Sequence, residues 1–281
     1  MAPRRLRLDA ELVRRGLARS RDHAAELIAD GRVRVAGVRA TKPATGVGTD
    51  VALVVTADPA IPGGEEYVSR GGHKLAGALA AFVPAGLVVS GRRCLDAGAS
   101  TGGFTDVLLR AGARQVVAVD VGYGQLAWRI RQDERVVVHD RTNVREVDLD
   151  LLGEPVDLVV GDLSFISLTL VLDALIAVTA ADGDLALMVK PQFEVGRERV
   201  GKGGVVRDPD LRVDAVRAVV AAAAERGWGL RDLVTSPLPG PSGNVEFFVW
   251  LRRGPAAVDD ARLEAVVSAG TTSVPGEKVE Q

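Results

Sequence analysis

The chain has a single cysteine, Cys94, in 281 residues, so no disulfide can close within it and no set of thiolates can hold a structural zinc. A reducing cytoplasm is the expected setting, and no metal is expected. Long apolar runs are also missing. A spanning helix needs about 20 mostly apolar residues, and the best stretch, 163–172, is bounded by Asp162 and Asp173, with Asp182 and Asp184 close behind. No membrane partner is expected. The Met-Ala-Pro-Arg-Arg start has no apolar stretch after it, so no secretory signal is expected. Excess charge of one sign is lacking too: 35 basic and 37 acidic residues leave −2, and a 47% hydrophobic, 26% charged composition excludes disordered and collagen-like classes. On its face, that balance argues against a nucleic-acid partner.

The balance is not uniform along the chain. Residues 1–62 carry 11 Lys/Arg against 7 Asp/Glu, a net of +4, and residues 63–281 carry 24 against 30, a net of −6. Arg4, Arg5, Arg7, Arg14, Arg15, Arg19, Arg21, Arg32, Arg34, Arg39 and Lys42 all fall within the first 42 residues, an electrostatic footprint for phosphates. A solvated arginine-rich face is the plainer alternative. The head reads as two helices, one from Asp9 ended by Gly16 and one capped by Ser20 and stopped after Ala29 by Gly31. Short strands at 33–35 and 51–55 follow. Arg7-Leu-Asp, Leu-Val-Arg-Arg-Gly-Leu-Ala-Arg-Ser-Arg, Gly-Arg-Val-Arg-Val and Lys42-Pro together resemble the S4 RNA-binding domain over about 50 residues. The resemblance implies binding of structured RNA, with Arg4, Arg7, Arg14, Arg15, Arg19, Arg21, Arg32 and Arg34 as the contacts. Ala36 departs from it, because the family more often has Asn before this glycine.

Pro59, Pro62, Gly63 and Gly64 read as a linker, giving an expected division into 1–60, a linker at 61–66, a body at 67–254 and a helix with tail at 255–281. In the body, strand-like runs at 93–97, 115–120, 135–139, 156–162 and 185–190 alternate with helix patterns at 71–83, 103–111, 124–132, 165–181 and 209–227. This alternation predicts a doubly wound α/β fold. Two more strands near 230–235 and 245–251 are separated by Ser-Pro-Leu-Pro-Gly-Pro-Ser-Gly-Asn, too short for a helix, and are expected to be antiparallel neighbours.

Ligands of such sheets bind beyond the carboxyl ends of the strands. Asp96-Ala-Gly98-Ala-Ser100-Thr101-Gly102-Gly103-Phe104-Thr follows the first strand. A glycine-rich turn alone fits NAD, FAD, a phosphate or tight packing. It lacks the Gly-Lys-Ser/Thr of a P-loop and the Gly-x-Gly-x-x-Gly of dehydrogenases. Asp96, with Asp120 ending the second strand, suits a ligand carrying an amino group and a ribose diol. The motif resembles that of class I S-adenosylmethionine methyltransferases, particularly the FtsJ-like group. The resemblance implies a Rossmann-like sheet of seven strands with the last antiparallel, and S-adenosylmethionine held by these residues, with Asp140 a weaker contact.

The acceptor then belongs beside strands four and five, which end in Asp162 and Lys190. Burial of two opposite charges at adjacent tips predicts a mutual ion pair. The antiparallel last strand begins at the same edge, with Glu246, and the helix before the first strand brings Lys74 there. This Lys-Asp-Lys-Glu set resembles the tetrad of RNA ribose 2′-O-methyltransferases. With the S4-like head, Ser-Arg-Gly-Gly-His-Lys-Leu and Val-Lys-Pro-Gln-Phe-Glu-Val-Gly, the chain is similar to the TlyA family, whose members often carry the name haemolysin. The family implies 2′-O-methylation of cytidines in 16S and 23S ribosomal RNA.

A ribose hydroxyl needs in-line approach to the sulfonium methyl and help in losing its proton. Lys190 is expected to act as base or to stabilise the alkoxide, Asp162 to orient it, and Glu246 to position Lys74 or the ribose. Asp162-Leu-Ser-Phe lacks the prolines of base-amino methyltransferases, and Cys94, the one thiol that could attack cytosine C5, reads as a core residue. His139 is given no role. Phe104 and Phe165 read as core or cleft walls before base platforms, and the 196–204 loop, with Arg197, Arg199 and Lys202, reads equally as an RNA-covering or an ordinary solvated loop. The competing functions are a membrane-active haemolysin and an S4-type ribosome binder with an inactive body.

Overall fold

Among the residues that the computed structural model describes, 5–18, 21–56, 67–201, 203–240 and 242–270, the chain divides into two units, residues 1–66 and 67–281. Arg4, Arg19, Ser20, Lys202, the linker at 61–66 and the tail from 271 lie outside the described residues.

In the first unit β1 (Arg5–Arg7) leads into α1 (Leu8–Arg14), and α2 (Arg21–Ala29), β2 (Val33–Val35), β3 (Val38–Arg39), β4 (Gly46–Gly48) and β5 (Leu53–Val55) follow. β1 pairs with β4, and β2 is flanked by β3 and β5, all antiparallel. Leu8, Leu12, Ala24, Leu27 and Ile28 close the core against Val33 and Val47. Strands β1, β3 and β4 were not expected from the sequence; at two or three residues each they are too short to show alternation. Ala36 and Gly37, both at positive φ (48° and 83°), turn β2 into β3 in two residues. A primed hairpin turn of this kind favours Asn-Gly, which gives the physical reason for the asparagine that Ala36 replaces.

In the second unit the order is α3 (Arg70–Phe82), β6 (Arg93–Ala97), α4 (Gly103–Arg110), β7 (Gln115–Asp120), α5 (Trp128–Arg131), β8 (Val136–Asp140), α6 (Leu149–Leu152), β9 (Val156–Gly161), α7 (Leu172–Ala177), β10 (Thr179–Val189), α8 (Pro191–Glu194), α9 (Pro209–Glu225), β11 (Trp228–Thr235), β12 (Phe247–Arg253) and α10 (Asp260–Ala269). The seven strands lie in the order β11-β12-β10-β9-β6-β7-β8. β12 runs antiparallel to both neighbours and the rest are parallel. The central strands are rich in Val, Leu and Ala because both faces are covered. Val119, Val159 and Leu187 enter one core, and Ala118, Val160 and Met188 enter the other. On α3, Leu75, Ala78, Leu79 and Phe82 recur at helical spacing and are buried. Cys94 is fully buried in that second core, and burial pushes its thiol up to about 12.

Three expected elements differ. The helix pattern at 124–132 shrinks to α5, because Gly124 is left-handed and the Asp120 side chain turns the chain by accepting from the Gly122 amide. The pattern at 165–181 breaks because Phe165 adopts φ 65° and Ser167 caps a single 3-10 turn at Leu168–Leu170 before α7. β10 starts at Thr179, six residues before the apolar run, with a register shift between Thr179 and Asp184. Its Asp182 and Gly183 conceal the extension from hydropathy. No helix among the described residues is long and apolar enough to cross a membrane.

Candidate active site

Strand order reverses between β6 and β9, and the segments leaving these strands meet there. Gly98, one residue past β6, has φ 86°, and a Cβ there would lie 3.0 Å from the Asp162 carbonyl. Ser100 (φ 47°) and Gly102 (φ 94°) complete the turn into α4. Gly103 and Gly72 let α4 and α3 touch: a Cβ on Gly103 would sit 2.7 Å from the Gly72 nitrogen. This close approach explains the second glycine of Ser-Arg-Gly-Gly-His-Lys, Gly72, which lets the first turn of α3 reach the loop.

Acidic groups line this end. Asp96 is fully buried; its Oδ2 accepts from the Thr105 hydroxyl at 2.6 Å, and its Oδ1 has no partner among the described residues. Burial pushes the Asp96 carboxyl up to about 7, with Asp162 and Asp120 adding to the rise and Thr105 opposing it. Asp120 accepts from the amides of Ser100 (2.8 Å) and Gly122 (2.7 Å), which pin the loop to the tip of β7. Asp140 is its register partner on β8 and pairs with Arg131. Thr101 accepts from the Ala127 amide through its carbonyl. Phe104, grouped above with the cofactor loop, has its ring in the core against Phe248.

The four residues of the Lys-Asp-Lys-Glu set come together as two ion pairs. Lys74 Nζ donates to Glu246 Oε2 at 2.5 Å, and Lys190 Nζ lies 2.6 Å from Asp162 Oδ1. The last paired residues of β10 and β12 are Val189 and Phe247, so the next step places Lys190 opposite Glu246. A Cβ on Gly71 would lie 3.9 Å from Asp162 Oδ2, which ties the start of α3 to the same point. Lys74, Lys190 and Glu246 are buried, and Glu246 Oε1 has no partner among the described residues. Orphaned buried carboxylate oxygens are rare in folded proteins; among the described residues Asp96 Oδ1 and Glu246 Oε1 have no partner, and Asp162 Oδ1 has only its ion-pair contact with Lys190.

Sequence reasoning assigned no role to Ser164, whose hydroxyl accepts a hydrogen bond from Lys190 Nζ (2.9 Å), to Thr105 or to Glu194. All three lie within motif stretches, Thr105 after Phe104, Ser164 after Asp162-Leu and Glu194 after Phe193, but those stretches do not reveal their partners; tertiary contact does. Beside Lys190, Phe165, Gln192, Phe193, Arg197, Val200, Gly201 and Gly204 help line a cavity of about 450 Å³. Phe165 is almost fully exposed, and its ring centre lies 5.3 Å from that of Phe193.

The arginines of the head are largely engaged. Buried Asp9 accepts from Arg7 and Arg21, and buried Glu11 from Arg14 and Arg15. These hydrogen bonds hold Glu11 down near 2 and Asp9 well below the usual carboxylate range. Each acid is outnumbered by two arginines, so each cluster keeps a net positive charge. Arg15 also donates to the carbonyls of Val51 and Thr49, so it straps the head together. Arg32 donates to the Thr56 carbonyl and Arg34 to that of Gly37. No cluster of three or more metal-ligating side chains forms among the described residues.

A seven-stranded sheet with one antiparallel strand, a glycine-rich turn at its switch point and paired charges at the tips defines a class I methyltransferase domain. Residues 67–253 match the FtsJ-like methyltransferase family and residues 6–51 the S4 domain. The chain is 60% identical over 249 residues to the 16S/23S rRNA (cytidine-2′-O)-methyltransferase TlyA of Mycobacterium tuberculosis, covering 89% of this chain and 90% of that one. It is 36% identical to hemolysin A of Brachyspira hyodysenteriae, covering 86% and 98%. A solved structure from Streptococcus thermophilus, described as a candidate hemolysin, superimposes with a TM-score of 0.74 at 36% identity, covering 96% of each chain. The chain belongs to the TlyA family of FtsJ-like methyltransferases.

Proposed function

We propose that this chain transfers a methyl group from S-adenosylmethionine to the ribose 2′-hydroxyl of cytidines in 16S and 23S ribosomal RNA, acting in the cytoplasm. The observation that carries the reading is the meeting of two ion pairs, buried Lys74–Glu246 and half-buried Lys190–Asp162, beside the Gly98–Gly103 turn. The substrate class is that of the Mycobacterium relative.

The residues present fit the cofactor. The Gly98, Ser100, Thr101, Gly102 and Gly103 turn gives backbone access, Asp96 offers an unpartnered oxygen, and Asp120 and Asp140 stand at adjacent strand tips where ribose and adenine contacts are made. Bound S-adenosylmethionine supplies an electrophilic sulfonium methyl. Lys190, held by Asp162 and Ser164, takes the hydroxyl proton or stabilises the alkoxide that forms. Glu246 fixes Lys74 on the acceptor side, where its ammonium adds positive charge. Residues 1–60 hold RNA through Arg4, Arg7, Arg14, Arg19, Arg21, Arg32 and Arg34, with Arg15 chiefly structural; 61–66 link, 67–254 catalyse and 255–281 form a helix and tail.

The test is labelled methyl transfer to purified 30S and 50S subunits with mapping of alkali-resistant ribose positions. Wild type is expected to modify cytidine riboses. Lys190→Ala is expected to lose transfer by at least about a hundredfold while binding cofactor normally. Absence of 2′-O-methyl product on either subunit, or near-normal transfer by the variant, would sink the proposal.

A further inference from the structure

We propose that Glu194 is a positioning residue for methyl transfer: it clamps the segment after Asp162 to the segment after Lys190 and so keeps Asp162 and Ser164 on the Lys190 amine. The inference rests on the tetrad reading above and adds a residue outside it.

Asp162 and Lys190 leave neighbouring strands, β9 and β10, and nothing in strand pairing holds the two departing segments together once the ladders end at Gly161 and Leu187. Besides the contacts of Lys190 itself, two contacts bridge them. Glu194, at the end of α8, reaches back so that its Oε2 accepts from the Ser167 hydroxyl at 2.5 Å and its Oε1 from the Leu168 amide at 2.9 Å. The Ser167 hydroxyl in turn accepts from the Thr169 amide at 3.2 Å, so the clamp engages the first turn of the segment at Leu168–Leu170. The second contact is the Phe165–Phe193 ring pair.

Between the clamp and the tetrad lies Phe165 with φ 65°, a conformation that a bulky residue holds only when its surroundings impose it. Ser164 precedes it and receives the hydrogen bond from Lys190 Nζ. A segment freed at Ser167 relaxes first at Phe165, and Ser164 and Asp162 shift off the amine with it. A carboxylate suits the clamp because both of its oxygens accept, one from O–H and one from N–H.

The experiment measures transfer to ribosomal subunits at saturating cofactor for wild type, E194A, E194Q and S164A, with cofactor affinity by calorimetry and the unfolding midpoint of each protein. E194A is expected to lower kcat by about tenfold to a hundredfold, as small misplacements of reacting groups do, with cofactor affinity and midpoint close to wild type. E194Q, which keeps an oxygen for the Leu168 amide, is expected to recover most of the loss, and S164A to lower kcat in the same direction. Wild-type kcat in E194A, or a kcat loss matched by loss of cofactor affinity and stability, overturns the proposal. If E194A does not fold, S167A removes only the hydroxyl arm, and wild-type kcat there overturns it equally. K190A in the same series separates the two readings: an active K190A defeats the methyl-transfer assignment, whereas an inactive K190A beside fully active E194A and S164A defeats only the clamp.

Discussion

Asp96 shows how one residue can be placed for a ligand at a cost to the fold. It is fully buried, only one of its oxygens has a partner among the described residues, and burial raises its carboxyl to about 7. In the unfolded chain the same group ionises near pH 4. Because the folded value is the higher one, the contribution of Asp96 to stability is present below about pH 4 and is lost as pH rises through about 7. Asp96→Asn carries no such charge, so its unfolding midpoint without cofactor should gain on wild type across that window, by at least about 2 °C at pH 8 relative to pH 4. Midpoints recorded over the range check this; a difference that does not change with pH would contradict it. The motif Asp-x-Gly-x-x-x-Gly-Gly-Phe-Thr holds both Asp96 and Thr105, but not their hydrogen bond, which the turn into α4 makes by bringing Thr105 back nine positions.

At the scale of elements, the Ala36–Gly37 hairpin shows local sequence and local geometry in disagreement. Both residues are left-handed, and alanine tolerates that conformation poorly where asparagine accepts it. Ala36→Asn is expected to stabilise the head by about 0.5–1 kcal/mol; slower amide exchange across β2, β3 and β5 is the measurement, and unchanged exchange would refute it. The central strands of the second unit were legible because they carry apolar runs buried on both faces, and β6 and β7 begin and end where the sequence patterns do. The helices around the site were less so. The 165–181 pattern has helical periodicity, yet Phe165 and the Ser167 cap redirect it, and the hydrogen bonds that impose this come from Glu194 on a different element. Periodicity reports what a segment would bury, and it carries no record of what another segment pulls on.

Across the whole molecule, a net charge of −2 conceals +4 in the first 62 residues and −6 in the remainder. Phosphate contacts released by salt should therefore dominate RNA affinity. Binding to ribosomal subunits is expected to weaken with a log–log salt slope of about −3 to −5, and Arg14→Ala or Arg21→Ala to reduce that slope by about 1 each. Titrations between about 50 and 200 mM salt measure it, and salt-independent binding would remove the electrostatic anchor. Arg15→Ala should instead loosen the head, since its donors are taken up by Glu11, Val51 and Thr49.

By itself, the sequence determined the α/β class, the glycine-rich turn and the charges at the strand tips, because hydrophobic periodicity and motif spacing are properties of a continuous segment. Only the tertiary structure decided how those charges are shared. Lys74 and Glu246 are 172 residues apart and meet because α3 starts, and β12 begins, at the sheet edge where β9 and β10 end. Whether Glu246 would face Lys74 or the ribose, whether Arg15 would face RNA or its own domain, and that Ser164 meets Lys190 and Glu194 meets Ser167, depended on strand register and on contacts between distant segments, which no local pattern encodes.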